Sequence, residues 1–152
     1  IVAAMWQEYR INRRSAWSVP ADSDLLLNHL AALLQALRQS GHTLIPVCPE
    51  VYGGLPTPRD PAERQGDKVI SCAGKDVTKA YTKGAETALY FAKLNHVDFA
   101  VMKAKSPSCG KGLIYDGTFT GNKIPGNGVT VELLNANGIP VFTEDELDQL
   151  PL

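Results

Sequence analysis

The chain has 152 residues, which suits one domain over its full length, burying roughly 68–70% of its unfolded surface. With 44% hydrophobic and 20% charged residues and a formal net charge of −1, it reads as a globular chain, and neither a nucleic-acid polymer nor an anionic membrane surface is an expected partner. No apolar stretch approaches the roughly 18 to 20 residues needed to cross a bilayer. No basic segment leads into an apolar core and cleavage site. Three cysteines are too few for a disulfide scaffold, so a reducing cytoplasm is the expected compartment.

Ile1 to Met5 predicts a short first strand, and Trp6 to Pro20 an irregular loop. Asp22-Ser23 is placed to cap a helix whose Leu26, Leu30, Leu33 and Leu37 recur at helical spacing, with Gly41 ending it. Leu44 to Val47 predicts a strand, and the Pro- and Gly-rich stretch from Pro49 to Pro61 predicts no regular structure. A second helix is expected from Asp76 to about Asn95, with Val77, Tyr81, Ala85, Ala88 and Ala92 on one face. Phe99 to Met102 reads as a strand, Gly110 to Pro125 as loop or hairpin, and Val129 to Asn135 as a short helix ending near Gly138. Ile139 to Phe142 is a last strand, and Thr143 with Glu146 predicts a capping box for a final short helix. Strand–helix–strand alternation implies parallel strands and right-handed crossovers. The expected fold is therefore a three-layer α/β domain, an open, mostly parallel, Rossmann-like sheet flanked by helices.

In such a sheet the loops leaving the carboxyl ends of strands converge on one crevice. Two of those loops carry reactive side chains: Cys48-Pro49-Glu50, and Ser106-Pro107-Ser108-Cys109-Gly110. An isolated cysteine is often only a small buried hydrophobe. These neighbours suit a reacting or ligating sulfur: prolines fix the approach, Gly110 permits close contact, and hydroxyls can donate to a thiolate or an anion. Soft thiolates favour zinc or an iron–sulfur cluster. Zinc is the weaker reading, because no ligand-type spacing links His29, His42 or His96 to a cysteine. Glu50 suits general acid–base work, and Lys103 could supply positive charge. Arg59 and Glu63 are expected to pair and pin the intervening loop. Gly110-Lys111-Gly112 and Gly126-Asn127-Gly128 match no phosphate-loop pattern, although Gly128 precedes a helix whose amino terminus could take an anion.

At these motifs the chain resembles the thiouracil desulfurase family of small bacterial domains. The matching text is VCPEVYGGLPTPRDPAE (Val47 to Glu63), GKDVTKAYTKGAE (Gly74 to Glu86), KAKSPSCGKGLIYDGTFTG (Lys103 to Gly121) and GNGVTVELLNANGIPVFTEDEL (Gly126 to Leu147). The resemblance implies a 4Fe–4S cluster held by three cysteines and non-redox removal of sulfur from a small thiolated pyrimidine such as 2-thiouracil. It places Cys48 and Cys109 as two cluster ligands, Glu50 as the proton-transfer carboxylate and Ser106 as an active-site hydroxyl. Ser108 and Lys103 are expected to bind substrate. The chain departs from the pattern at its first strand, where Met5 stands in the position of the third cysteine. Cys72, outside the ligand motifs, is a candidate replacement and more simply a surface thiol.

Two further readings stay open at this stage. One is a cluster-less module that binds a small molecule or an anion, suggested by Met5. The other is a thiol enzyme with Cys109 as nucleophile, which ranks last because no histidine is positioned to activate it.

Overall fold

A computed structural model describes residues 2–4 and 35–151 of the chain. The expectations for Met5, for Trp6 to Pro20, for the cap at Asp22-Ser23, and for Leu26, Leu30, Leu33 and His29 fall outside the described residues. Along the rest run β1 (Val2–Ala4), β2 (Leu44–Pro46), α1 (Pro49–Tyr52), β3 (Ala62–Gln65), β4 (Lys68–Ser71) and α2 (Thr78–Leu94). They are followed by β5 (Phe99–Met102), β6 (Leu113–Tyr115), β7 (Lys123–Pro125), α3 (Val129–Ala136) and β8 (Val141–Thr143). Residues 35–39 are helical and end at Gly41, whose φ of +84° suits a residue without a Cβ. Leu147–Gln149 form a closing 3-10 turn.

The described residues are mixed α/β. Four strands make one sheet in the order β2-β1-β5-β8, and every neighbouring pair is parallel. Its register places Ala4 opposite Pro46 on one side and Val101 on the other, and Met102 opposite Thr143. All four residues of β5 are buried, as a continuous apolar run between two parallel neighbours requires. Their side chains alternate between two cores. Ala100 and Met102 pack with Val47, Cys48, Cys109 and residues of α2 and α3, whereas Phe99 and Val101 pack with Leu37 and Leu150.

The antiparallel pairs stand apart from this sheet as two ribbons, β3–β4 and β6–β7. The second lies in the stretch expected to be loop or hairpin. The first escapes a reading by apolar alternation because Glu63, Arg64 and Gln65 occupy β3. Its signal is the two-residue Gly66-Asp67 link, with Gly66 at φ +61°.

Three local expectations are corrected. The Pro49–Pro61 stretch does contain regular structure. Cys48 takes extended N-cap angles and Pro49 opens α1, where its missing N–H costs nothing and its fixed φ is already helical. Second, α2 starts at Thr78, and the Asp76 carboxylate accepts the Thr78 N–H at 3.0 Å in an Asx turn that leads into the helix. The face expected for this helix is the one it buries: Tyr81, Gly84, Ala85, Ala88 and Ala92. Third, the Thr143/Glu146 capping box forms with a shifted partner. The Thr143 N–H donates to Glu146 Oε2 at 2.9 Å, while Thr143 Oγ1 accepts from Asp145 N–H at 3.4 Å rather than from Glu146.

Candidate functional site

The chain leaves β2, β5 and β8 at one edge of the sheet, and a cavity of about 580 Å³ opens there. Glu50 and Arg59 line it from the segment after β2. Lys103, Ala104, Lys105, Ser106 and Pro107 line it after β5, and Glu144 and Asp145 after β8. Tyr81 of α2, Glu63 of β3 and Tyr115 of β6 complete its walls. The carboxyl-edge rule thus locates the cavity, and it brings Glu50, Lys103 and Ser106 to one surface.

The Cys48 turn is held by close backbone packing. An added Cβ at Gly84 of α2 would lie 1.9 Å from the Pro49 carbonyl oxygen, and one at Gly53 would lie 2.0 Å from that of Ala80. Only glycines let α1 and α2 approach this closely. Cys48 is 1% exposed and Glu50 3%. The Cys48 thiol donates to Glu50 Oε2 at 3.7 Å, and Arg59 Nη2 lies 3.8 Å from that same oxygen. Arg59 is steadied by the Pro56 carbonyl at 3.4 Å and Thr57 Oγ1 at 3.3 Å. Burial, and next the charge of Cys48, push the Tyr52 phenol above its ordinary value. It keeps its proton and donates to the Pro46 carbonyl at 3.3 Å.

The expected Arg59–Glu63 pair is absent: Arg59 turns to Glu50. Glu63, itself buried, accepts the backbone N–H groups of Gly117 at 2.9 Å and Phe119 at 3.0 Å. Two backbone donors satisfy that carboxylate in its buried place, while the Arg59 guanidinium is held beside Glu50.

The Cys109 turn is built differently. Ser106 Oγ accepts the N–H groups of Ser108 and Cys109, each at 3.2 Å, and the Ser106 carbonyl accepts from Gly110 at 2.8 Å. The first N–H groups of α3 then grip the turn from behind. Val129 donates to the Pro107 carbonyl and Thr130 to the Ser108 carbonyl, both at 2.9 Å. This corrects the anion-site expectation for that helix start, because its donors are used by the chain itself. Ser108 is fully buried and its hydroxyl sits 2.8 Å from Thr130 Oγ1. It is not among the cavity-lining residues, in contrast to Ser106.

Cys48 and Cys109 share one buried cluster, and neither sulfur lines the cavity, whose wall is made by their neighbours. Cys72 is exposed beyond β4 and lines no part of the cavity. His42 stacks edge-on against Phe99, and His96 is exposed, so neither is at the site. Among the described residues no group of three or more His, Cys, Asp or Glu side chains converges to hold a metal ion. The donors present are two buried thiols, a soft set that fits two corners of an iron–sulfur cluster and falls short of a closed zinc site. Met5 lies outside the described residues. Sequence reading missed Tyr81, Tyr115 and Glu144 as residues of the cavity wall. Only Glu144 carried a signal, since it directly follows a strand of the sheet.

Comparison with known proteins bears on this arrangement. The profile of the 2-thiouracil desulfurase family matches residues 23–146. An uncharacterized protein of Bacillus subtilis (strain 168), YbbK, is 43% identical over 113 residues, covering 68% of this chain and 75% of YbbK. The solved structure of a 4Fe-4S-dependent thiouracil desulfidase, TudS, superposes with a TM-score of 0.73 at 50% identity, covering 77% of each chain. This chain belongs to the 2-thiouracil desulfurase family.

Proposed function

We propose that this protein is a cytoplasmic, iron–sulfur-dependent desulfurase that removes sulfur from a small thiolated pyrimidine such as 2-thiouracil. The observation that carries the reading is the pairing of two buried thiols in one cluster with a buried carboxylate 3.7 Å from one of them, beside a cavity. Likeness to TudS supports it. Cys48 and Cys109 would hold the cluster, which when bound supplies a Lewis-acid iron suited to a soft thiocarbonyl sulfur. The fold beneath is read as a three-layer, Rossmann-like arrangement, since apolar side chains pack on both faces of the parallel sheet.

The overall change exchanges one C=S bond for one C=O bond. Water supplies the oxygen, the sulfur leaves as hydrogen sulfide, and no electrons are transferred. Glu50 is the group that takes the proton of the attacking water, because it is buried and lines the cavity. Arg59, at 3.8 Å, holds the carboxyl in place. Ser106 already accepts two backbone N–H groups, so both its lone pairs are occupied and its O–H is left to donate into the cavity. Lys103 contributes positive charge to the same wall. Ser108 has no exposed surface and acts through the turn that carries Cys109. The comparisons do not favour a cluster-less binding module over this reading.

Anaerobic reconstitution followed by iron analysis and turnover of 2-thiouracil tests it. The native chain should take up roughly four irons and release sulfide. Cys48→Ala and Cys109→Ala should each lose the bound iron. Glu50→Gln should keep iron and lose turnover by about 10²-fold or more. Absence of both iron uptake and sulfide release from the native chain would sink the proposal.

A further inference from the structure

We propose that Thr130 is a positioning residue for Cys109, fixing through Ser108 the turn that presents this thiol; the inference deepens the function proposed above and rests on it. Thr130 lies in the first turn of α3, 22 residues beyond Ser108. It grips that residue twice. Its N–H donates to the Ser108 carbonyl at 2.9 Å, and its hydroxyl meets the Ser108 hydroxyl at 2.8 Å. Both side chains are 0% exposed, so water cannot replace either bond. Steric contact reinforces the grip. A Cβ at Gly128 would come within 2.2 Å of the Ser108 carbonyl carbon and 2.5 Å of the Cys109 nitrogen, so α3 already begins against the backbone of the turn. The Ser108 N–H in turn is held by Ser106 Oγ, as is that of Cys109. The hydroxyl pair is thus a buried side-chain hydrogen bond from the helix into a turn that is also held by Ser106 Oγ, by backbone bonds and by packing. A valine at 130 keeps the shape of threonine and leaves the Ser108 hydroxyl buried with its partner gone. The turn can satisfy that hydroxyl only by moving, and Cys109 is the next residue.

Hydrogen exchange, read by mass spectrometry on peptides covering residues 106–110 and 48–53 of the full chain, tests this without reference to turnover. The amides of Ser108, Cys109 and Gly110 are protected by Ser106 and report the turn directly. Thr130→Val should speed exchange in the 106–110 peptide by about tenfold or more, the size expected when one buried hydrogen bond is unmade. Exchange in the 48–53 peptide should be unchanged, and Thr130→Ser, which restores the hydroxyl, should return the 106–110 peptide to the native rate. An equal rise in both peptides, no rise, or failure of serine to rescue would overturn the inference. On the reconstituted protein, Thr130→Val should alter the absorption and electron-spin spectra of the cluster, and Thr130→Ser should restore them. A native chain that takes up no iron would refute the proposed function and leave the exchange result to decide this one.

Discussion

Replacing Gly84 with alanine sets two physical effects against each other, and the structure fixes which one wins. In an unconstrained helix interior alanine is favoured over glycine by about 0.8–1.0 kcal/mol. Gly84 lies well inside α2, so helix propensity alone argues that Gly84→Ala stabilises. The new Cβ would lie 1.9 Å from the Pro49 oxygen, 2.6 Å from its carbonyl carbon and 3.2 Å from its Cα. These are backbone atoms of the turn that opens α1, so no rotamer change relieves the clash. The two helices must part by about 1.5 Å to reach ordinary contact, and overpacking of this kind costs roughly 1–3 kcal/mol or more. Taking about 3 kcal/mol for a rigid backbone partner and subtracting the propensity gain leaves a net loss of about 2 kcal/mol. Urea unfolding measures it: the midpoint of Gly84→Ala should fall, while exposed Glu86→Ala on the same helix should stay within about 0.5 kcal/mol of the native chain. Because Pro49 sits between Cys48 and Glu50, iron retention should fall together with stability. A Gly84→Ala chain as stable as the native one, or more so, would refute the reasoning.

Two other outcomes are expected. Glu63→Ala leaves the N–H groups of Gly117 and Phe119 without their acceptor, at a cost of about 2 kcal/mol in chemical unfolding; a loss under about 0.5 kcal/mol would show that water replaces the carboxylate. Glu146 is raised by burial, but the bonds from Lys111 Nζ at 2.7 Å and from the Thr143 N–H outweigh it and hold the carboxyl below its ordinary value. A depressed carboxylate contributes stability that is present at neutral pH and lost as pH falls through its folded value. Stability of the native chain should therefore drop more steeply from about pH 5 to about pH 3 than that of Glu146→Gln, and matching slopes would count against the pair.

The legible parts of the fold were those in which apolar pattern and local chemistry agreed. Phe99 to Met102 is an unbroken apolar run, and it is the buried strand β5. The face of α2 follows from the spacing of Tyr81, Ala85, Ala88 and Ala92. Cys48 and Cys109 could be assigned to strand-end loops because short apolar runs precede both, and the sheet edge then accounts for the cavity. Where polar residues did structural work the reading failed. Glu63 looked like a partner for Arg59 because they are near in sequence, yet its ligands are backbone amides more than fifty positions away. Ser108 is buried against Thr130 and lies outside the cavity lining, and nothing local in the sequence indicates that contact. The β3–β4 ribbon carries a charged strand, so periodicity was silent there and the Gly66-Asp67 link was the informative pair.

Gly117, with Phe119 beside it, binds the two ribbons to each other through Glu63. Its N–H goes to Glu63, its carbonyl accepts Gln65 Nε2 at 2.8 Å, and its φ of +90° with Gln65 pressed against it leaves no room for a side chain. Glu63 and Tyr115, one from each ribbon, both face the cavity. The two ribbons therefore reach the cavity as one joined wall rather than as two separate ones.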